Sequence, residues 1–165
     1  MEQKIQEIQE IPKQMTGVYL TGLGGYDKLE YREDIPVPSP KEGEVLVKVE
    51  ASAVNNTDIN TRIGWYSKNN VQGTNAGGAQ GFEEEVGDDG SWLGEAMTFP
   101  RIQGADCCGV IVAVGEGVPR ERIGHVESGR VKPIIAKVYP LKEIVEAQKA
   151  FLSKKYTGKI VLKNT

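Results

Sequence analysis

The sequence predicts a mainly β domain with a minor α component. Three observations support this fold class. Several short apolar segments are bounded by glycine or proline, as strands are. One long stretch, residues 141–153, has the periodicity of an amphipathic helix. The 165 residues are 39% hydrophobic and 26% charged, which is typical of one soluble globular domain.

The N-terminal residues 1–15 are predicted to form an arm, because Ile5, Ile8 and Ile11 make only a narrow apolar stripe before Pro12. The segments that follow alternate apolar and polar residues or are apolar throughout, and each ends at a turn residue. Strands are therefore predicted at residues 16–22, 29–38, 44–54, around 110–114, 132–140 and 158–164.

Two helices are predicted. A short one begins at about Asp58, after Asn and Asp residues that suit a helix N-cap. The second follows Pro140, with Lys154 and Lys155 at its C-terminal end, where the helix dipole favours cations. Its apolar stripe has one polar exception, Gln148, among Leu141, Ile144, Val145, Phe151 and Leu152. The core candidates from all elements are Val45, Val47, Val49, Val110, Val112, Ile134, Ile144, Phe151 and Val161.

Residues 64–98 are predicted to form a long loop. Eight of these 35 positions are glycine, and the acidic run "EEEVGDDG" has no helix or strand pattern. Trp65, Tyr66, Trp92 and Leu93 are the side chains that can anchor its ends.

Composition excludes several classes of protein. The net charge of −3 offers no basic surface for nucleic acid, and no apolar run reaches the roughly 20 residues that a membrane helix needs. The N-terminus lacks the apolar stretch of a secretory signal. Two adjacent cysteines, Cys107 and Cys108, do not make a disulfide framework, which indicates a reducing cytoplasm.

The sequence contains no complete metal or nucleotide site. One histidine and two cysteines cannot supply four zinc ligands, and adjacent strand residues point to opposite faces. The acidic run at 83–89 lacks the order of a calcium loop. None of the glycine-rich segments at 22–25, 76–81 and 114–118 gives G-x-G-x-x-G between a strand and a helix, so all three are interpreted as turns. His125, as the sole histidine, is interpreted as an exposed linker residue.

Three motifs in order resemble the medium-chain dehydrogenase/reductase superfamily, its zinc-independent alcohol dehydrogenase and quinone oxidoreductase branch. They are "VYLTGLGGYDKLEYREDIPVPSPKEGEVLVKVEASAVNNTDINTRIGWY", "FPRIQGADCCGVIVAVGEGV" and "SGRVKPIIAKVYPLKEIVEAQKAFLSKKYTGKIVLK". The resemblance implies a GroES-like, partly open β-barrel with a C-terminal helix and NAD(P)-dependent oxidoreductase chemistry.

The resemblance also implies that a Rossmann domain is missing. Members of the superfamily leave the barrel, build that domain and return, but only nine residues separate Ile123 from Pro133 here. The chain is therefore divided into a first part of the catalytic domain, 16–124, and a return segment, 125–165. The expected function is an inactive substrate domain that binds no cofactor itself. The alternatives are a stand-alone binding or self-assembly module and a residual enzyme activity that is cofactor-free or complemented in trans.

Site residues follow from the resemblance alone. Asn55, Thr57 and Asp58 are implied to line the catalytic cleft, and Trp65, Tyr66 and Asp106 to shape the site of a small-molecule substrate. Each has a structural alternative, namely a helix cap for 55–58, core packing for the aromatic residues and a loop-ordering acceptor for Asp106. Zinc alcohol dehydrogenases carry ligands where this chain has Asn55 and Ala105, so no metal is expected.

Loss of a Rossmann domain implies a bared surface. Trp65, Tyr66, Val118 and part of the 141–152 helix are expected to contribute to it, and a homodimer that buries it is predicted. The alternative is that the 64–98 loop covers this surface and keeps the chain monomeric.

Overall fold

A computed structural model describes residues 10–67, 73, 80–82, 97–118 and 134–164. The predicted junction at 124–125, most of the 64–98 loop and residues 1–9 of the arm lie outside the described residues. Within the described ranges, no helix is long and apolar enough to span a membrane.

The described residues form seven strands and two α-helices. All six predicted strands and both predicted helices are found. The elements are β1 (Gln14–Leu20), β2 (Leu29–Pro36), β3 (Val45–Ala53), α1 (Asn56–Arg62), β4 (Arg101–Ile102), β5 (Cys107–Val114), β6 (Ile135–Pro140), α2 (Ile144–Leu152) and β7 (Lys159–Lys163), with 3-10 turns at Tyr26–Lys28 and Leu141–Glu143.

One strand was not predicted. The two residues of β4 pair antiparallel with the end of β1, at Tyr19 and Leu20. Two residues are too few to show an alternating pattern, so this strand could not be predicted from its own sequence and is recognised only by its pairing with β1.

The strands form two separate sheets, in the orders β2-β1-β4 and β5-β3-β7-β6. All pairs are antiparallel except β6 and β7, which are parallel and connected through α2. The two sheets do not close on each other. The mainly β class and the partly open GroES-like barrel with a C-terminal helix are therefore confirmed.

The core lies between α2 and the β6–β7 end of the larger sheet. Ala147 is fully buried in α2, and it packs in one cluster with Ile144 and residues from β6, β7 and the end of β3. Burial of an aliphatic side chain as large as that of Ile160, which is 2% exposed, contributes about 1.5–3 kcal/mol. The cluster consists of Val54, Tyr139, Ile144, Ala147, Ile160 and Leu162.

The predicted core was wrong at four positions. Val45, Val49, Val110 and Ile134 are 41%, 37%, 41% and 69% exposed. Of the other candidates, Ile144 is buried, whereas Val47, Val112, Phe151 and Val161 are half-buried.

Strand pairing explains these four errors. β7 pairs with β3 only through Ala51–Ala53, so residues 45–49 of β3 have β5 as their strand partner among the described residues. This part of the described molecule is a two-stranded ribbon (45–49 with 109–114), and none of its residues belongs to the core cluster or is among those packed against it. Ile134 immediately precedes β6, the outer strand at the other side of the sheet.

The polar exception in α2 has a structural role. Gln148 is 1% exposed, and its Oε1 accepts a hydrogen bond from Arg62 Nε at 3.1 Å. Arg62 is itself fully buried, donates through Nη1 to the carbonyl oxygen of Gly24 at 2.6 Å and stacks on the Tyr26 ring, 4.4 Å from its centroid. One guanidinium therefore joins α1, α2 and the turn before β2.

Two glycines allow a close approach of backbones in the ribbon. A Cβ atom on Gly109 would collide with the carbonyl oxygen of Lys48, and one on Gly115 with that of Lys41. Gly115 also donates its N–H to Glu44 O at 2.9 Å, at the end of the ribbon. Glycine is thus required at both positions for steric reasons.

Candidate functional site

Four polar residues meet where the N-terminus of α1 approaches the start of β7 and the residue before β5. We call Asn55, Asp58, Asp106 and Lys159 the polar cluster. Asn55 Nδ2 donates to Asp106 Oδ2 at 3.0 Å. Lys159 Nζ donates to both Asn55 Oδ1 and Asp106 Oδ2, at 2.8 Å each. Residues more than 50 positions apart are thereby held in one hydrogen-bonded group.

Asn55 is also the N-cap of α1. Its own backbone N–H donates to Asp58 Oδ2 at 2.8 Å, which is the carboxylate half of a capping box. The interpretation of these residues as a helix cap is therefore confirmed. Capping fixes the backbone of Asn55, so its amide is oriented toward Asp106 and Lys159 by the start of the helix.

Thr57, Trp65 and Tyr66 lie near the polar cluster in sequence but do not take part in its hydrogen bonds. Thr57 is exposed on α1. Trp65 and Tyr66 follow the helix as a half-buried edge-to-face pair with ring centroids 5.2 Å apart. The implied site residues thus separate into a hydrogen-bonded group and an aromatic pair.

Lys159 was missed in the sequence analysis. It is the first residue of β7 and was considered only as part of a strand. No local pattern distinguishes it from Lys163 at the other end of the same strand, because its role depends on a contact with Asn55, 104 positions away.

The two carboxylates of the polar cluster have opposite pKa shifts. The Lys159 ammonium, and then the Asn55 amide, lower the pKa of Asp106. Burial raises the pKa of Asp58, and the negative charge of Asp106 adds to this effect, while the hydrogen bond from Asn55 opposes it. Asp58 is therefore the group in the cluster whose ionised form the fold disfavours.

Replacing Asp58 with asparagine is expected to change how stability depends on pH. A raised folded-state pKa means that ionisation of Asp58 costs stability as pH rises above its ordinary pKa, until pH passes the folded value. The amide oxygen of Asp58→Asn still accepts from Asn55. The stability of the variant relative to the wild type should therefore increase across that interval and then stay constant, as measured by urea titrations from about pH 3 to about pH 7.

Asp106→Asn is the matched control. The folded-state pKa of Asp106 is lowered, so its stabilising contribution is present above its ordinary pKa and is lost as pH falls through the folded value. The stability of Asp106→Asn relative to the wild type should therefore decrease as pH rises. If the stability relative to the wild type changed in the same direction with rising pH for both variants, the assigned pKa shifts would be contradicted.

The polar cluster does not match a zinc site. Zinc requires sulfur, imidazole or carboxylate ligands, whereas the cluster offers only two carboxylates, Asp58 and Asp106, beside an amide and an ammonium. Ala105 has no ligand atom, and Cys107 and Cys108 are exposed free thiols. Within the described part of the chain, no three His, Cys, Asp or Glu residues are grouped as metal ligands would be.

The fold is that of a partly open GroES-like barrel, and comparison with known proteins agrees. The family described as "Alcohol dehydrogenase GroES-like domain" matches residues 41–130, and the family described as "Zinc-binding dehydrogenase" matches residues 109–162. The first match covers more than half of the chain. This protein belongs to the alcohol dehydrogenase GroES-like domain family, and the predicted superfamily is confirmed.

Individual relatives support the same assignment. The chain is 31% identical over 111 residues to the mitochondrial NAD(P)H oxidoreductase RTN4IP1 of Dictyostelium discoideum, with 67% of this chain and 25% of that protein covered. It is 39% identical over 104 residues to human quinone oxidoreductase, covering 63% and 23%. A solved structure named as an alcohol dehydrogenase of Sinorhizobium meliloti is 46% identical with a TM-score of 0.52, covering 70% of this chain and 29% of that one. The chain thus spans about a quarter of the relatives' length.

Proposed function

We propose that this chain is the substrate domain of an NAD(P)-dependent, zinc-independent oxidoreductase of the quinone oxidoreductase type, and that it is inactive without a nucleotide-binding domain. The observation that carries the proposal is the polar cluster, in which Asn55 and Lys159 are hydrogen-bond donors and, among the described residues, no group of metal ligands is found. The similarity to human quinone oxidoreductase and to the NAD(P)H oxidoreductase supports the reaction class.

Zinc independence rests on the charge of Lys159. Its ammonium lies 2.8 Å from Asp106 Oδ2, where it provides the positive charge that a metal ion would otherwise bring to this carboxylate. A divalent cation beside this ammonium would meet electrostatic repulsion. We therefore derive no metal-dependent step.

The donors of the polar cluster suit a carbonyl substrate. A Lys ammonium has three N–H donors, and two of them are used by Asn55 and Asp106. The third can donate to the carbonyl oxygen of a quinone or ketone, and a positively charged donor would stabilise negative charge that develops on that oxygen during reduction. Lys159 and Asp106 are 47% and 42% exposed, so a small molecule can reach them.

The described residues do not provide a dinucleotide site. Such a site needs a strand, a glycine-rich turn and a helix N-terminus in succession. Within the described ranges α1 follows β3 without an intervening glycine, and α2 follows β6 through Pro140 and a 3-10 turn. The two family matches overlap at 109–130, which supports the proposal that no Rossmann domain lies between them. We accordingly assign no step that uses the cofactor to this chain.

An NMR titration with two ligands tests the proposal. Added NADPH should cause no saturable shift up to about millimolar concentration, because the backbone amides that hold a pyrophosphate are missing from the described fold. A saturated cyclic ketone should shift the resonances of Asn55, Asp106 and Lys159. A saturated ketone is preferred over a quinone because it does not alkylate the exposed Cys107 and Cys108.

Two lysine variants sharpen this test. Lys159→Met should abolish the ketone response, whereas Lys142→Met, at an exposed position in the turn before α2, should retain it. Binding of NADPH with a micromolar dissociation constant would refute the proposal that this chain has no nucleotide-binding domain. A ketone response that survives Lys159→Met would refute the assigned site.

A reducing compartment such as the cytoplasm is part of this proposal, since both thiols are free and exposed. A second candidate function, a self-assembly module, is favoured by β5, an outer strand that contains no charged residue and exposes Val110 and Ile111.

A further inference from the structure

The outer strands of the two sheets differ sharply in charge. Edge strands of soluble proteins usually carry charged residues or proline, which oppose pairing with another chain. Here β2 carries Glu30, Arg32, Glu33 and Asp34, β4 carries Arg101, and β6 carries Lys137 and Pro140. β5, the remaining outer strand, is "CCGVIVAV" and contains neither a charge nor a proline.

β5 is also accessible. It pairs with β3 on one side and has no strand on its other side among the described residues. Val110 and Ile111, at its centre, are 41% and 37% exposed, and Cys107 and Cys108 at its start are exposed as well. Its β-branched side chains favour extended pairing. Among the described residues, the strand is therefore an unprotected sheet edge.

We propose that β5 of one chain pairs antiparallel with β5 of a second copy around a two-fold axis. The product is one continuous sheet with four strands from each copy, in which the two β5 strands are neighbours. An isologous contact of this kind requires a surface that is complementary to itself. An uncharged strand meets this requirement. If two copies of β2 were paired in the same way, the charged side chains of one strand would lie beside those of the other.

The ribbon provides the energetic reason. Its two strands, 45–49 and 109–114, contribute no residue to the core cluster, and a two-stranded ribbon alone is only marginally stable. Pairing with a second β5 makes each ribbon part of a four-stranded region. The eight residues of β5 span roughly 27 Å, which allows up to about eight backbone hydrogen bonds across the axis.

This contact differs from the surface predicted from the sequence. Trp65, Tyr66 and Val118 are half-buried, and α2 buries Ile144 and Ala147 in the core. The sequence-based homodimer is thus retained as a proposal, but its contact is moved to β5.

Light scattering on two lysine variants tests the proposal. The wild type should be a dimer at tens of micromolar, and Val110→Lys should raise the dimer dissociation constant roughly 100-fold or more, because the axis brings two ammonium groups together. Val138→Lys is the matched control, since Val138 is 51% exposed on the other outer strand of the same sheet. It should leave the dimer intact.

Hydrogen exchange on the wild type provides a readout that does not depend on how well a variant folds. Amides of residues 107–114 should become more protected as protein concentration rises, while those of 135–140 should not change. Ile111→Lys, on the opposite face of β5, should reproduce the effect of Val110→Lys. A monomeric wild type, open-ended larger species, or a dimer lost only in Val138→Lys would overturn the proposal.

Discussion

Replacing Arg62 with alanine should lower the free energy of unfolding by about 3 kcal/mol, because one buried and one part-buried acceptor lose their donor at once. These acceptors are Gln148 Oε1 and the carbonyl oxygen of Gly24. The stacking contact with Tyr26 is lost as well. Urea-induced unfolding followed by circular dichroism measures the change.

Arg32 is the control for this prediction. It makes two ion pairs, with Glu30 and Asp34, but on the surface of β2. Exposed ion pairs contribute little, so Arg32→Ala should cost less than about 1 kcal/mol. Arg62→Lys should not rescue the buried site, since an ammonium lacks the planar fork that reaches both acceptors. Equal losses in Arg62→Ala and Arg32→Ala would show that burial of Arg62 does not matter.

Replacing Gly115 with alanine should destabilise the fold by about 3 kcal/mol, because the new methyl group would collide with a backbone atom that cannot rotate away. That atom is the carbonyl oxygen of Lys41. The hydrogen bond from Gly115 N–H to Glu44 O would be strained in the same movement. Differential scanning calorimetry should show a clearly lower melting temperature.

Gly22→Ala is the comparison. The nearest atom to a Cβ at Gly22 is Lys28 Cδ, at 3.8 Å, an ordinary van der Waals contact with a flexible side chain. This substitution should change the stability by less than about 1 kcal/mol. A Gly115→Ala protein as stable as Gly22→Ala would mean that the ribbon does not require the close approach.

The elements of this fold could be predicted from the sequence because their signals are local. Alternating valines indicated β3, and the Asn and Asp residues within 55–58 indicated a capped helix start near α1. Burial could not be predicted in the same way. Val49 and Ala53 lie on the same strand, but only the segment that contains Ala53 is paired with β7, and that pairing depends on residues more than 100 positions later.

The candidate site shows the same division. Asn55 and Asp58 are three residues apart and are joined by a helix cap, which a sequence pattern can indicate. Asp106 and Lys159 reach Asn55 only through the arrangement of β5 and β7. Asp106 was identified through the family resemblance, and Lys159 had no signal at all. Gln148 was noticed as an exception, but its partner Arg62 lies in another helix, and nothing in the sequence connects the two.

The location of the core has a consequence for the order of folding. Five of its six members, from Tyr139 to Leu162, come from one stretch of 24 residues, in which α2 connects the parallel strands β6 and β7. Contacts between residues close in sequence form with a small loss of chain entropy and therefore early. The C-terminal segment can thus serve as the folding nucleus, on which Val54 docks through its hydrogen bond to Ile160 O and brings the end of β3 into the sheet. The ribbon, whose strands are about 60 positions apart, joins last and opens first.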